Sequence, residues 1–355
     1  MVLSLNGIPV VAIELKNQFT NQDVNDSKEQ WMTNRNPKEP LFHFDNRILA
    51  YFGCDLYEAI MATELKGKET YFMPFNQGSN GAGEVGGAGN PQREDDEYVT
   101  SYFWKDVLRR DVLLAILQRF IMRQTETKIS LIMDKHGKEK EKSTTSTKII
   151  FPRYHQLDVV EKLIHDTESK GAGTNYLIQH SAGSGKSNSI AWLTYRLASL
   201  HDTANANIFK GVFVVTDRRI LNRQLQDTIL GFEHVDGTVT TITEKDSNAS
   251  QKLKDAINAE KTGIVITTLQ RFPQIYREIQ KKGSQNYAIV VDEAHSSQSG
   301  KSAEKLKAAL ADTDEALKEM AEWEDKTVEE LEKEQDALML DLLSQGQHGN
   351  LSFYA

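Results

Sequence analysis

Two glycines, a lysine and a serine lie close together between Gly183 and Ser187, shortly after an apolar run that begins at Asn175. The glycines would let the backbone turn its N–H groups inward, and a helix beginning near Lys186 would point its positive end at the same place. Lys186 would then reach the β- and γ-phosphates of a nucleotide, and the Ser187 hydroxyl would bind Mg²⁺. This spacing predicts a loop that binds ATP and Mg²⁺, formed by His180, Ser181, Ala182, Gly183, Ser184, Gly185, Lys186 and Ser187.

A strand and a helix must hold this loop in place. Residues 175–180 predict the strand, and Ile190, Leu193 and Leu197 recur at helical spacing and predict one buried stripe after the loop. The loop departs from the usual phosphate-loop pattern at its first position, where His180 replaces a glycine. The alternative is a chance glycine turn, which would not account for the strand and the helix on either side.

Two adjacent carboxylates mark a second candidate site. Residues 287–291 predict a buried strand, and Asp292 and Glu293 follow at its carboxyl end, where a parallel α/β sheet places its ligand. Asp292 would hold Mg²⁺ through its water shell, and Glu293 would accept a proton from the attacking water. His295 either couples this site to neighbouring segments or is an ordinary polar residue in a turn.

A third candidate site lies near the start of the chain. The apolar residues 9–13 lead into Glu14 and Lys16, whose side chains face the same way if the segment is a strand. In a metal-dependent nuclease, such a glutamate binds Mg²⁺, and such a lysine orients the attacking water or stabilises the phosphate. The alternative is a solvated Glu/Lys pair on an edge strand.

Lys186 and Ser187, together with the sequence Asp-Glu-Ala-His at 292–295, resemble the DEAH-type motors of helicase superfamily 2. Residues 151–156 resemble the segment whose glutamine contacts adenine in these motors, which assigns that role to Gln156. Residues 214–219 and 266–270 resemble the two strand-end motifs that contact the DNA backbone. The DNA contacts implied by this resemblance are Arg218, Arg219, Thr267, Thr268 and Gln270.

In detail, the whole set is similar to the restriction (R) subunit of type I restriction–modification enzymes, over nearly the full chain. The resemblance implies that Glu14 and Lys16 belong to a PD-(D/E)xK nuclease core ahead of the motor. It implies double-stranded DNA and the methylation (M) and specificity (S) subunits as partners. In that family an aspartate on the preceding strand completes the nuclease site, but residues 1–5 contain no acid. The family's second RecA-like domain, with its arginine finger, would follow the end of this sequence. We therefore expect a piece of a larger subunit.

The predicted fold class is α/β, with a RecA-like, doubly wound parallel sheet preceded by a truncated nuclease domain. Apolar strands alternate with helices in the βα pattern of such a sheet. The predicted strands are 175–180, 211–216, 263–268 and 287–292, and the helices lie near 188–200, 219–230, 250–261 and 270–282. Residues 107–121 predict a further amphipathic helix in the nuclease part.

The predicted organisation is a nuclease remnant at 1–133, an exposed linker at 134–148 and a first RecA-like domain at 149–355. The linker is charged, rich in serine and threonine, and without apolar periodicity. An acidic helical insertion is predicted at 301–345, where 14 acidic and 6 basic residues carry most of the net charge of −9. It either packs on the motor as a solvated helical segment or docks a partner subunit.

Composition excludes several classes of protein. No apolar run approaches the roughly eighteen residues that a membrane-spanning helix needs, and no basic residue precedes Lys16 as a signal peptide would require. The single cysteine, Cys54, cannot form an intrachain disulfide, which favours the cytoplasm. Three functions remain: a type I R subunit that translocates and cleaves DNA, a free-standing superfamily 2 helicase, and a non-enzymatic remnant that keeps nucleotide binding or subunit docking.

Overall fold

The computed structural model describes residues 1–93, 98–133, 139–181, 183–216, 219–232, 237–242, 248–259, 263–268, 285–292 and 349–355. The chain divides into two compact units, Met1–Val159 and Val160–Ala355. It is a mixed α/β protein. None of its described helices is long and apolar enough to cross a membrane.

The first unit is built on a five-stranded mixed sheet with the strand order β1-β2-β3-β4-β5. Its strands are β1 (Val2–Leu5), β2 (Ile8–Leu15), β3 (Ala50–Cys54), β4 (Ala59–Ala62) and β5 (Met73–Pro74). Strands β2 and β3 are parallel, whereas the other neighbours are antiparallel. The predicted strand at Glu14 is thus confirmed, and β1 is the strand that precedes it.

Helix α1 (Val24–Thr33) lies between β2 and β3 along the chain. Asp23 begins the helix with a capping box, since its side chain accepts from the backbone of Asp26 and the side chain of Asp26 accepts in return. Trp31 packs edge-on against Tyr51 of β3, with ring centroids 5.3 Å apart, and its indole N–H donates to the Phe52 carbonyl oxygen at 3.0 Å. These contacts fix α1 on the β2–β3 pair.

Two further predictions for the first unit, a helix and a linker, differ in part from the observed elements. The predicted helix at 107–121 is a π-helical turn (Phe103–Val107) followed by α2 (Arg110–Arg119), in which Ile116 is fully buried. The predicted linker is corrected. Residues 134–138 lie outside the described residues, but 139–148 belong to β7 (Glu139–Ile150), which forms a hairpin with β6 (Met122–Met133). Alternating serines, threonines and lysines suit a solvated strand pair, so low apolarity alone did not indicate a linker.

The second unit is built on a parallel sheet with the order β12-β11-β8-β10-β9. The strands are β8 (Gly211–Thr216), β9 (Val239–Thr241), β10 (Gly263–Thr268), β11 (Tyr287–Val291) and β12 (Leu351–Tyr354), and the helices are α3 (Tyr154–Lys170), α4 (Lys186–Ala198), α5 (Arg219–Gly231) and α6 (Ala249–Asn258). Helix α3 begins in the first unit and continues into the second.

The parallel sheet confirms three of the predicted strands almost residue for residue, because their apolar runs are buried on both faces. Its arrangement is consistent with a RecA-like domain. The fourth predicted strand, 175–180, is only a short pairing in which Tyr176 and Ile178 exchange backbone hydrogen bonds with residues 353–355. The predicted helix at 270–282 and the acidic segment 301–345 lie outside the described residues.

Candidate functional site

The predicted phosphate loop has the backbone conformation that only glycine adopts easily. Gly183 and Gly185 have φ angles of 74° and 83°, in the left-handed region. Helix α4 begins at Lys186 directly after them, and Gly185 is its N-cap. Because glycine has no side chain, Gly185 gives the first turn no side-chain cap, and both Gly183 and Gly185 are exposed. Ala182 lies outside the described residues.

Helix α4, which directly follows this loop, is held in place by its buried side chains. Leu193 and Leu197 of the predicted stripe are buried, as is Trp192, which packs edge-on against Phe232 with ring centroids 5.8 Å apart. Lys186 and Ser187 are half-buried at the start of the helix. The helix predicted to position the loop is therefore present, and Lys186 and Ser187 lie in its first turn.

The segment that enters the loop lies beside β12. Tyr176 stacks on Tyr354 with ring centroids 4.9 Å apart, and the Tyr354 hydroxyl lies 2.8 Å from the Thr167 hydroxyl of α3. His180, which replaces the usual glycine, is half-buried. The loop is thus anchored to the parallel sheet, although its entry strand is short.

Polar side chains lie at the carboxyl ends of three neighbouring strands of this sheet. Asp292 follows β11 and donates its backbone N–H to the Val215 carbonyl oxygen of β8 at 3.0 Å. Thr216 of β8 and Thr268 of β10 are paired in register, and both hydroxyls are buried with no hydrogen-bond partner among the described residues. The site residues named from the sequence did not include Thr216, although it lies within the motif at 214–219.

The predicted magnesium ligands of the second unit fit a hard cation by type. The Ser187 hydroxyl and the Asp292 carboxylate both offer oxygen, which Mg²⁺ prefers. Glu293 and His295 lie outside the described residues.

Only some of the residues predicted to contact DNA lie within the described part of the chain. Thr267 and Thr268 are buried, at 0% and 3% exposure, so a contact with DNA would require their side chains to be uncovered. Arg219 begins α5. Arg218 and Gln270 lie outside the described residues.

The predicted adenine contact, Gln156, lies in the first turn of α3. Its side-chain Oε1 accepts the backbone N–H of Arg153 at 2.9 Å, and the residue is 3% exposed. The Arg153 Nε is also buried and has no partner among the described residues. The amide of Gln156 therefore has a fixed orientation within the segment 151–156.

Glu14 lies near the end of β2 and Lys16 directly follows that strand, and each side chain has a protein partner. The Arg35 guanidinium forms an ion pair with the Glu14 carboxylate, with Nε 3.0 Å from Oε1. The Lys16 ammonium donates to the Gln30 side chain of α1 at 2.6 Å. Arg35 was missed by the sequence analysis because it is 21 residues away along the chain.

The described residues near Glu14 do not fit a divalent cation. Asp55 follows β3 beside the end of β2, but its carboxylate accepts the backbone N–H groups of Val24, Tyr57 and Glu58 and so serves as a cap. Among the described residues, no group of three or more histidine, cysteine or acidic side chains could hold a metal. A single carboxylate already paired with arginine gives too few oxygen ligands for Mg²⁺.

Two comparisons place this geometry among known proteins. Residues 155–315 match the family of SWI2/SNF2 ATPases, which are superfamily 2 helicases. The chain is also 25% identical over 319 residues to a Methanocaldococcus jannaschii protein named as the endonuclease subunit of a type I restriction enzyme, MjaVIIIP. These matches confirm the two predicted resemblances. The alignment covers 84% of this chain and 27% of that relative, so the chain spans about a quarter of the relative's length.

Proposed function

We propose that this chain provides the ATP-dependent motor of a type I restriction subunit, acting on double-stranded DNA in the cytoplasm together with methylation and specificity subunits. The observation that carries the proposal is the phosphate loop, in which Gly183 and Gly185 adopt positive φ angles directly before α4. The parallel sheet and the match to SWI2/SNF2 ATPases support it.

In this proposal each residue of the nucleotide site has one task. The N–H groups at the start of α4 and the Lys186 ammonium bind the phosphates, because both carry positive charge at the loop mouth. Ser187 and Asp292 hold Mg²⁺, which supplies charge neutralisation at the phosphates when bound. Glu293 accepts the proton of the attacking water, and Gln156 contacts adenine. The strand-end residues Arg218, Arg219, Thr267, Thr268 and Gln270 contact the DNA backbone.

The cleavage part of the proposal rests on Glu14 and Lys16. Their place at the end of β2, followed by α1 and the parallel strand β3, supports a PD-(D/E)xK-type core, and so does the similarity to the restriction subunit of M. jannaschii. Cleavage would require Arg35 to leave Glu14 and further oxygen ligands to join it, since the described residues alone do not fit a metal. A free-standing superfamily 2 helicase is the second candidate, favoured by a family match that begins at residue 155 and leaves out the first unit's sheet.

Nucleotide binding gives the direct test. We expect the chain to bind ATP with Mg²⁺, and we expect Lys186→Ala to weaken that binding at least tenfold, because the phosphates lose their only mobile cationic ligand in the loop. Titration with a fluorescent ATP analogue measures both affinities.

The matched control is Lys170→Ala. Lys170 forms an exposed i,i+4 ion pair with Asp166 in the same unit, and such pairs contribute little to stability. It should bind ATP like the unaltered chain. Equal ATP affinity for the Lys186 variant and the unaltered chain would contradict the proposed site.

A further inference from the structure

The Arg35 guanidinium is held in place by two different contacts within the first unit. Its Nε and Nη2 both donate to the same Glu14 oxygen, Oε1, and its Cζ lies over the Trp31 ring, 5.9 Å from the centroid. A cation at this distance from an indole face is attracted to it. Trp31 is itself fixed, because its indole N–H donates to the Phe52 carbonyl oxygen. Arg35 therefore has a defined position beside the end of β2.

The contact with Glu14 uses only part of the guanidinium. In the strongest arginine–carboxylate pairs, two N–H groups meet two oxygens, whereas here both N–H groups meet one oxygen. A guanidinium has five N–H donors, so most of them are not used by Glu14. Among the described residues, Arg35 makes no further hydrogen bond, and its side chain is 34% exposed. Arg35 thus keeps donors for a ligand that arrives from solvent.

The charges around Glu14 suit an anion better than a divalent cation. Lys16, which donates to Gln30 at 2.6 Å, is a second cation two residues after Glu14. Asp55 adds little negative charge, because it is 5% exposed and its carboxylate accepts three backbone N–H groups. Two cations therefore accompany one carboxylate that is not used as a cap. The guanidinium of Arg35 is the side chain best matched to a phosphate, which it binds through two N–H groups.

We propose that Arg35 binds a phosphate of the DNA backbone, and that Glu14, while paired with Arg35, acts as its positioning residue and not as a metal ligand. The inference rests on the proposed function, since it takes double-stranded DNA as the partner. It gives the first unit a DNA contact of its own. Because the Glu14 carboxylate offsets part of the guanidinium charge, it weakens this contact while it orients Arg35.

The test uses the full chain and a fluorescent DNA duplex in EDTA, with binding measured by anisotropy at several salt concentrations. Arg35→Ala removes the guanidinium. Glu14→Gln keeps an oxygen that can accept from Arg35 but removes the negative charge, and a double variant combines the two changes. The matched control is Arg123→Ala, because Arg123 also forms an ion pair with an acid of the first unit, Asp45, at 2.6 Å.

We expect Arg35→Ala to weaken DNA binding and to reduce the slope of log K against log salt by about 0.9, the value for one phosphate. Glu14→Gln should tighten binding about twofold to fivefold, because it removes the competing charge of a partly exposed ion pair. The double variant should bind like Arg35→Ala, since Glu14 acts through Arg35. Arg123→Ala should keep the slope of the unaltered chain.

The sign of the Glu14→Gln effect separates a phosphate contact from a merely structural ion pair. If the pair only stabilises the fold, Glu14→Gln gains no affinity for DNA, and this result would overturn the inference. It also keeps the test decisive if Arg35→Ala fails to fold, because Glu14→Gln leaves the guanidinium in place. A slope that does not change in a folded Arg35→Ala variant, or that falls as much in Arg123→Ala, would overturn the inference as well.

Added Mg²⁺ distinguishes the phosphate contact from a metal site. It should weaken DNA binding of the unaltered chain and of Glu14→Gln alike, because it competes for the phosphates. Mg²⁺ that tightens binding only when Glu14 is present would identify Glu14 as a metal ligand and overturn the inference. A chain that binds no DNA would overturn both the inference and the proposed partner. ATP binding that does not depend on Lys186 would overturn the proposed motor and leave the Arg35 result standing.

Discussion

Cys54 ends β3 with its thiol inside the first unit, where it donates weakly to the Asp55 carbonyl oxygen at 3.3 Å. Burial raises the pKa of this thiol from 9.0 to about 12. Because the thiolate is the reactive form, a buried and protonated thiol is inert. The single cysteine of the chain is thus a buried core residue.

Thiol alkylation tests this assignment. We expect iodoacetamide to leave Cys54 unmodified in the native protein from pH 7 to 9 and to modify it fully in denaturant, as read by the mass of the intact protein. The raised pKa means that reactivity should not increase as the pH rises toward 9.0, where an ordinary thiol ionises. Rapid modification of the folded chain at pH 8 would contradict the buried position.

At the residue scale, sequence spacing predicted which side chains come together along one strand but not their partners from elsewhere. Glu14 lies on β2 and Lys16 directly follows its end, so strand geometry predicts that the two side chains face the same way. The ion pair with Arg35 depends on how α1 packs across the sheet, which no local pattern specifies. Gly183 and Gly185 were predictable for the opposite reason, because their backbone conformation is a property of glycine itself.

At the scale of elements, the contact between β3 and α1 is closest at Gly53. Gly53 pairs in register with Glu14, and a Cβ added to it would lie 2.3 Å from the Ser27 Oγ of α1 and 3.0 Å from Ile60 of β4. Any side chain at this position would push α1 away from the strand pair that carries Glu14 and Lys16.

We therefore expect Gly53→Ala to lower the free energy of unfolding by about 1–3 kcal/mol, the usual cost of overpacking a core. Urea denaturation followed by circular dichroism measures the change. Gly87→Ala is the control, since its nearest contact would be the Ser79 Oγ at 3.7 Å, and it should leave stability nearly unchanged. Adding Ser27→Ala to Gly53→Ala should recover part of the loss. A fully stable Gly53→Ala variant would show that α1 does not pack as described.

The strands of the parallel sheet that the sequence predicted correctly are those with long apolar runs. Strands β8, β10 and β11 are buried on both faces, so each is a continuous apolar run that is easily recognised. Strand β7 and the short β9 have mixed or polar sequences without a long apolar run, so they were not predicted. Strands β3 and β4 are apolar and largely buried as well, but they are only five and four residues long and were not predicted.

At the scale of the whole molecule, charge rather than fold determines the expected interaction with DNA. The chain has a net charge of −9, but 14 acidic against 6 basic residues between 301 and 345 account for −8 of it. The rest of the chain is nearly neutral, with 36 basic against 37 acidic residues. The proposed contact with DNA therefore depends on local positive charge, such as that of the arginines proposed at the strand ends.

Salt dependence measures how many such contacts form. If the strand-end residues contact only the phosphate backbone, binding to double-stranded DNA should be weak, independent of sequence and strongly reduced by salt, because each neutralised phosphate releases counterions. Arg219→Ala should weaken binding equally for all sequences and reduce the slope of log K against log salt by about 0.9. Fluorescence anisotropy at several salt concentrations measures both quantities.

Arg109→Ala is the control, because Arg109 forms an exposed ion pair with Asp111 in the first unit. This variant should leave the slope unchanged. Binding that survives high salt, or that prefers one sequence, would contradict a backbone contact and would mean that this chain reads DNA bases directly.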